Sequence, residues 1–301
     1  MVASDAPLIS VVMICYNHER FVAEALDSLL AQTYSSLDIV IVDDCSQDRT
    51  PDIVAARLAG LNDRSNIRFI RNPRNLGLLG TCELGFSAAR GAFIVLFCDD
   101  DVMMPGMVAE MADVWMAESV SLVTANADYI DENSKSLGRT ARDCNVPADA
   151  SFETLARDGS NACCFGASFG FEREVYTTFG IPPAHLNNLD IMLPFYAYLL
   201  KGARFIPKPL LKYRVHDQNG SLSLIAERSD ALGRLRTNER IFYGHIAHAV
   251  AMQEALDRLS VTIPARYREL APKIGPLLTI QTVEMAKKLV RTRVELHELG
   301  E

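Results

Sequence analysis

The sequence predicts an α/β protein, a Rossmann-like and mostly parallel sheet flanked by helices, followed by a C-terminal all-helical extension. Three observations carry that expectation. Continuous apolar runs of strand length at Leu8–Cys15, Leu37–Val42 and Phe93–Cys98 alternate with segments of helical apolar period. Each run ends in polar residues, Tyr16-Asn17-His18, Asp43-Asp44 and Asp99-Asp100-Asp101, and the carboxyl ends of parallel strands share one rim. Beyond Ser223 the pattern is helical only.

In chain order, Glu19 to Thr33 carries Phe21, Val22, Ala25, Leu26, Leu29 and Leu30 at helical spacing after the first strand. Past the second strand, Thr50 reads as an N-cap and Pro51 as a first helical residue, with the helix ending near Gly60. Ile67–Ile70 is a short strand, Asn72–Gly77 is turn chemistry, and Leu79–Ala89 is a helix closed near Gly91. The stretch FIVLFCDDDVMMP follows, a buried strand that runs into three carboxylates, with Pro105 stopping further regular pairing.

Met107–Ala117 reads as a helix whose Trp115 belongs to the core, Ser121–Tyr129 as a strand, and Asp131–Ser134 as a turn into Lys135–Thr140. The polar stretch Arg142–Ala150 is expected to be mobile. Glu172–Phe179 is a short helix ended by Gly180, and Asp190 sits at the start of an apolar helix that runs through Ile191–Leu200. An N-capping aspartate is the ordinary reading of that position. Arg204–Leu211 is a strand, and the loop Lys212–Ser221 holds Arg214, suited to paired hydrogen bonds with a diphosphate, and His216, a neutral ligand or charged donor. Two helical segments close the chain, Leu224–Leu259 and Ile274–Leu299, with Pro264 as the break. The last carries one stripe of Ile280, Val283, Val290 and Val294 and another of Met285, Leu289, Leu296 and Leu299. Two apolar faces suggest self-association through the C-terminal helices. A basic face of Lys287, Lys288, Arg291 and Arg293 at a membrane surface is the weaker alternative, because Glu284, Glu295 and Glu298 interrupt it.

The 301 residues, 49% hydrophobic and 23% charged, are ordinary globular composition, and a net charge of -8 argues against nucleic acid as a partner. Seven cysteines, odd in number and without CxxC spacing, read as reduced thiols of a cytoplasmic protein. No signal peptide and no transmembrane run is legible. Three adjacent carboxylates repel one another unless a cation takes up the charge, and an oxygen set suits Mg²⁺ or Mn²⁺ shared with substrate phosphates. No glycine lies between Cys15 and Phe21, which argues against a nucleotidyltransferase phosphate loop, and no GxGxxG follows a strand.

These pieces resemble the family 2 glycosyltransferases, inverting enzymes of the GT-A fold. The resemblance rests on Ser10–Asn17, Asp43–Thr50, Asn75-Leu76-Gly77, Asp99-Asp100-Asp101 with Pro105, Leu189-Asp190 and Tyr213-Arg214-Val215-His216, in that order. It implies a nucleotide-sugar-binding half at 1–105, an acceptor-binding half at 106–223, and a helical extension at 224–301 outside the resemblance. It further implies transfer of a sugar from a nucleoside diphosphate, UDP before dTDP, to a hydroxyl of a glycan or glycolipid acceptor. The setting would be the synthesis of a surface or secreted polysaccharide at the cytoplasmic face of a membrane. Carried over by position, Tyr16 stacks on the base and Asp44 hydrogen-bonds it, with Asn17 and Arg214 as further donor contacts. Asp99 meets the ribose, Asp100 binds the metal with Asp101 and His216 as further candidates, and Asp190 is the general base. A catalytically silent sugar-nucleotide-binding scaffold that works through the helical tail is the competing expectation.

Overall fold

The computed structural model describes residues 6–141, 166–186, 189–217, 219 and 231–298. The expected mobile stretch Arg142–Ala150, the Cys163-Cys164 pair and most of the loop 218–230 lie outside the described residues. Contacts divide the chain into two compact units, Met1–Arg214 and Val215–Glu301.

The first unit runs β1 (Ile9–Cys15), α1 (Val22–Leu30), β2 (Leu37–Asp43), α2 (Thr50–Ala59), β3 (Ile67–Arg71), α3 (Gly77–Ala88), β4 (Phe93–Cys98) and β5 (Val102–Met103). It continues with α4 (Met107–Glu118), β6 (Leu122–Ile130), β7 (Ser136–Thr140), β8 (Phe169–Glu172), α5 (Arg173–Phe179), α6 (Leu189–Leu200) and β9 (Ala203–Arg214). All nine strands form one sheet in the order β3-β2-β1-β4-β8-β6-β9-β5, with β7 on β6. The expected halves 1–105 and 106–223 therefore share a continuous sheet.

From β3 to β4 the sheet is parallel, as the apolar runs require, with Ile14 paired to Val42 on one side and Cys98 on the other. The residues of β1, and all of β4 but Cys98, are buried on both faces. Ile9, Val11, Met13, Phe93, Val95 and Phe97 face a core shared with α1, α2 and α4. The opposite face carries α3, whose Phe86 meets Phe171 of β8 edge-on at 5.0 Å. Beyond β4 the sheet is mixed, because β8 runs antiparallel to both β4 and β6.

Several sequence expectations shift. Pro105 follows the last pairing of this stretch, but the chain pairs once more between the acidic triplet and that proline: Val102 and Met103 form β5 against Lys212 and Leu211 of β9. That strand is longer than expected, so Lys212, Tyr213 and Arg214 are strand residues rather than loop. Thr50 is the first residue of α2 rather than its cap, and its backbone N–H donates to Asp48 Oδ1 at 2.9 Å. Trp115 does lie against the core, stacked 5.0 Å from Phe93, but its indole N–H also reaches Glu172 at 3.0 Å, where Ser121 and Lys201 converge too.

The second unit contains two long helices, α7 (Ala231–Thr262) and α8 (Pro264–Glu298). Arg293, late in α8, pairs with Glu239 at 2.8 Å and Tyr243 at 2.6 Å, both early in α7, so the helices are antiparallel. Pro264 is the break expected between them and opens α8, where its missing N–H has no intrahelical partner to lose. Pro272 and Pro276 lie inside α8, which starts ten residues before the expected Ile274. Among the described residues no helix is long and apolar enough to cross a membrane.

At the amino ends of the parallel strands a buried knot pins the α3–β4 turn. Ser10 donates to Asp38 at 2.6 Å, the N–H groups of Arg90 and Gly91 donate to Ser10 Oγ, and Arg68 pairs with Asp38. A Cβ at Gly91 would overlap the backbone of Ile9 and Ser10. Gly91→Ala is expected to cost roughly 1–3 kcal/mol or more. A urea midpoint that falls at constant slope would register it, and an unchanged midpoint would refute the close-approach reading.

Candidate functional site

The site grows from the carboxyl ends of β1, β2 and β4. The backbone there is held in register across strands: Asp44 N–H donates to Cys15 O, Asp99 N–H to Ile14 O, and Asn72 N–H to Asp43 O. The loops after β1 and β2 are then zipped together by side chains. Asn17 N–H donates to Ser46 Oγ at 3.0 Å, Gln47 N–H returns to Asn17 Oδ1 at 2.8 Å, and His18 N–H donates to Thr50 Oγ1 at 2.9 Å. Asn17 and Cys45 both adopt left-handed backbone (φ 56 and 61) to make these turns. Tyr16 is left 42% exposed on the rim.

Asp44 is buried and already engaged. Its Oδ1 accepts from Asn72 Nδ2 at 2.8 Å and Leu76 N at 2.7 Å, and its Oδ2 accepts from Gly77 N at 2.9 Å. It thus satisfies the free N–H groups at the start of α3, a role the sequence reading did not assign to it.

The acidic triplet makes the turn between β4 and β5. Asp99 accepts from Tyr16 N at 3.2 Å, and its Oδ1 lies 2.6 Å from His18 Nδ1. Burial pushes the Asp99 carboxyl up to about 6, against the opposing pull of His18. For His18 burial acts downward, but the hydrogen bond and charge of Asp99 outweigh it and the net shift is upward. Asp101 is buried, with Oδ1 accepting from Arg214 N at 2.9 Å and Oδ2 without a partner among the described residues. Burial, and then the charge of Asp100, hold it well above the usual carboxylate range.

Arg214 closes this turn. Its side chain is 1% exposed. Nε donates to Asp100 O at 2.8 Å, Nη1 to Asp131 O at 3.2 Å and Ser134 Oγ at 3.0 Å, and Nη2 to Glu24 Oε2 at 2.7 Å. The guanidinium also lies 4.8 Å over the Phe21 ring. Arg214, expected to grip a diphosphate, is thus engaged by protein groups in this structure. Its donors tie the triplet to α1 and to the β6–β7 turn.

Asp190 is the second residue of α6, partly buried, and burial pushes its carboxyl up to about 6. A Cβ at Gly166 would overlap that carboxylate, so the chain before β8 lies directly against it. Its charge and that of Asp44 are felt by the buried Cys82 thiol of α3, which burial above all pushes up. Cys15, Cys45, Cys82 and Cys98 are free thiols, as expected.

The structure thus gathers Tyr16, Asn17, Asp44, Asp99, Asp100, Asp101 and Arg214 on one rim of the first unit. His216 belongs to the second unit, where its N–H donates to Asn219 Oδ1 at 2.6 Å. Sequence reasoning missed His18, Glu24, Asn72 and Gly166. The signal for His18 was its place directly after β1, but nothing in its neighbours names Asp99 as its partner.

A hard divalent cation fits this rim. A carboxylate oxygen of Asp100 and a ring nitrogen of His18 lie within 4.8 Å of each other, and Asp101 Oδ2 is a buried oxygen lacking a donor. Oxygen atoms with one imidazole are a donor set for Mg²⁺ or Mn²⁺.

Removing Arg214 would orphan buried carbonyls and the negative turn they belong to. Arg214→Ala is expected to destabilise by roughly 3–5 kcal/mol. Glu24, half-exposed, should lose about 1 kcal/mol or less as Glu24→Gln. Chemical denaturation of both variants checks this ordering, and equal effects would contradict it.

The glycosyl transferase family 2 profile matches residues 10–180. The succinoglycan biosynthesis protein ExoO of Rhizobium meliloti is 27% identical over 232 residues, 73% of this chain and 63% of its own length. In fold, the chain is similar to TarS 1-349 of S. aureus solved with UDP-GlcNAc, at TM-score 0.57 and 14% identity over 95% of this chain and 81% of that one. It is likewise similar to the mannosyltransferase PcManGT of Pyrobaculum calidifontis solved with GDP-Man and Mn²⁺, at TM-score 0.57 and 18% identity over 99% and 89%. With a profile match that runs from within β1 through α5, this chain belongs to glycosyl transferase family 2.

Proposed function

We propose that the protein transfers a sugar from a nucleoside diphosphate to an acceptor hydroxyl with inversion at the anomeric carbon, Asp190 acting as general base. The observation that carries this reading is the Asp190 carboxyl, partly buried against Gly166 on the unit that bears the acidic rim, with its pKa raised to about 6. A carboxylate in that state is ionised at neutral pH and still basic enough to take the proton of an attacking hydroxyl. Gly166 leaves it room and limits its rotation.

On the donor side, Tyr16 offers an exposed ring for base stacking, and Asn17 and Asp44 frame the loops beside it. Asp99, held by Tyr16 N–H and His18, faces the ribose. Asp100 and Asp101 hold a divalent cation, with His216 assigned as a further ligand from the Tyr213-Arg214-Val215-His216 motif alone. When bound, the cation offsets charge that develops on the departing diphosphate. Arg214 acts by fixing the turn that presents these carboxylates. UDP is the proposed leaving group, since an aspartate acceptor suits the uracil N3 proton. A glycan or glycolipid acceptor of surface polysaccharide synthesis on the cytoplasmic side is proposed from the similarity to ExoO.

Titration calorimetry of UDP, dTDP and GDP with and without Mn²⁺ tests the donor reading. Metal-dependent binding of UDP that disappears in Asp100→Ala is expected. A folded protein that binds no nucleotide would overturn the donor reading.

For the base, Asp190→Asn should lower turnover by about 10²- to 10⁴-fold with donor binding retained. In the wild type kcat/KM should rise with pH through about 6 and then level, because only the ionised carboxylate accepts the proton. Gly166→Ala should lower kcat by displacing the same carboxylate. The raised pKa also means that the folded state binds more protons than the unfolded chain between the ordinary aspartate value of 3.8 and about 6. Stability from this group is therefore lost as pH rises through that window. Asp190→Asn should melt higher than wild type at pH 8, with the gap narrowing below about 6, and a lower melting temperature at pH 8 would assign Asp190 a structural role instead.

A further inference from the structure

The helix α8 has two apolar faces, and only one is covered. Leu278, Leu289 and Leu296 are 2, 8 and 7% exposed, and the principal contacts of α8 are with α7. On the opposite side Ile280, Val283, Val290 and Val294 are 56, 48, 62 and 51% exposed. Their spacing of three, seven and four residues, with Lys287 filling the intervening position, is the seam of a coiled coil. In this helix of 35 residues the outer stripe keeps that spacing from Ile280 to Val294, C-terminal to Pro272 and Pro276, and presents an apolar ridge to solvent.

The charges beside the ridge say what fits it. Glu284 and Arg291 stand one heptad apart on the same flank, both exposed, and neither forms an ion pair among the described residues. If a second α8 is laid antiparallel about a two-fold axis, Val283 falls opposite Val294 of the second copy and Lys287 lies over Val290 of the second copy. The same register sets Glu284 against Arg291 of the second copy, and the two-fold repeats that pair. Sliding the pairing by one heptad puts Glu284 against its own copy, so charge selects the register. A parallel pairing would place Lys287 against Lys287 within the seam.

We propose that the outer face of α8 is a self-association surface, on which two chains dimerise through antiparallel α8 helices with reciprocal Glu284–Arg291 pairs. This surface is independent of the transferase reading and of the acidic rim. The contact is isologous, each residue of the pair meeting its counterpart twice. One helix pair buries area at the low end of specific interfaces, about 1,200 Å², and a dissociation constant of the order of micromolar is expected.

Sedimentation equilibrium of the full chain from about 1 to about 100 μM tests it across that affinity range. A monomer–dimer equilibrium is expected. Val290→Asp should abolish it, Glu284→Arg and Arg291→Glu should each weaken it about tenfold or more, and the double swap should restore it to within about threefold of wild type. Failure of the double swap to rescue, with circular dichroism showing the helices intact, would overturn the pairing. A chain that stays monomeric at 100 μM, or a monomer that instead sediments with vesicles of anionic phospholipid, would overturn the surface as a dimer contact.

Discussion

Three consecutive carboxylates at the end of a strand buried on both faces are an electrostatic liability, and much of the first unit is arranged around holding them. Asp99, Asp100 and Asp101 cannot disperse, because β4 fixes the backbone before them and the short β5 fixes it after. Burial raises both Asp99 and Asp101, so each takes up a proton more readily than an exposed aspartate. The repulsion is opposed by His18 beside Asp99 and by Arg214, whose guanidinium reaches the Asp100 carbonyl while its N–H reaches Asp101. An unpartnered Asp101 oxygen remains, which is the strain a divalent cation would relieve.

Arg214 also explains why the ends of the sheet's two halves stay together. It comes from the last position of β9 and touches α1 through Glu24 and the β6–β7 turn through Asp131 and Ser134. A lysine could not serve, as one ammonium cannot reach carbonyl, hydroxyl and carboxylate in one plane. At the opposite rim the Ser10–Asp38–Arg68 knot plays the corresponding part for the parallel strands. The sheet is thus tied by buried polar groups at both ends, with apolar packing between.

Asp190 shows the opposite bargain. Burial keeps its ionised form high in energy, and Gly166 stands at contact distance from its carboxylate. That arrangement works against stability at neutral pH and is what the proposed role as a base requires.

The parallel β3-β2-β1-β4 core, the helices between those strands and the acidic rim were legible in the residues, because continuous apolar runs and their polar ends are local patterns. The two stripes of α8 were legible too, from period alone. What the sequence could not supply were pairings between distant segments. β8 inserts antiparallel between β4 and β6, and β5 joins β9, because hydrogen bonding of strand edges is decided by the assembled sheet. The same reason brings Arg214 to Glu24, 190 residues away, Asp44 to the start of α3, and Gly166 to Asp190. Residue type and spacing determined which chemistries stand on the rim; only tertiary contact decided which of those groups are already satisfied by the protein and which remain to act on something else.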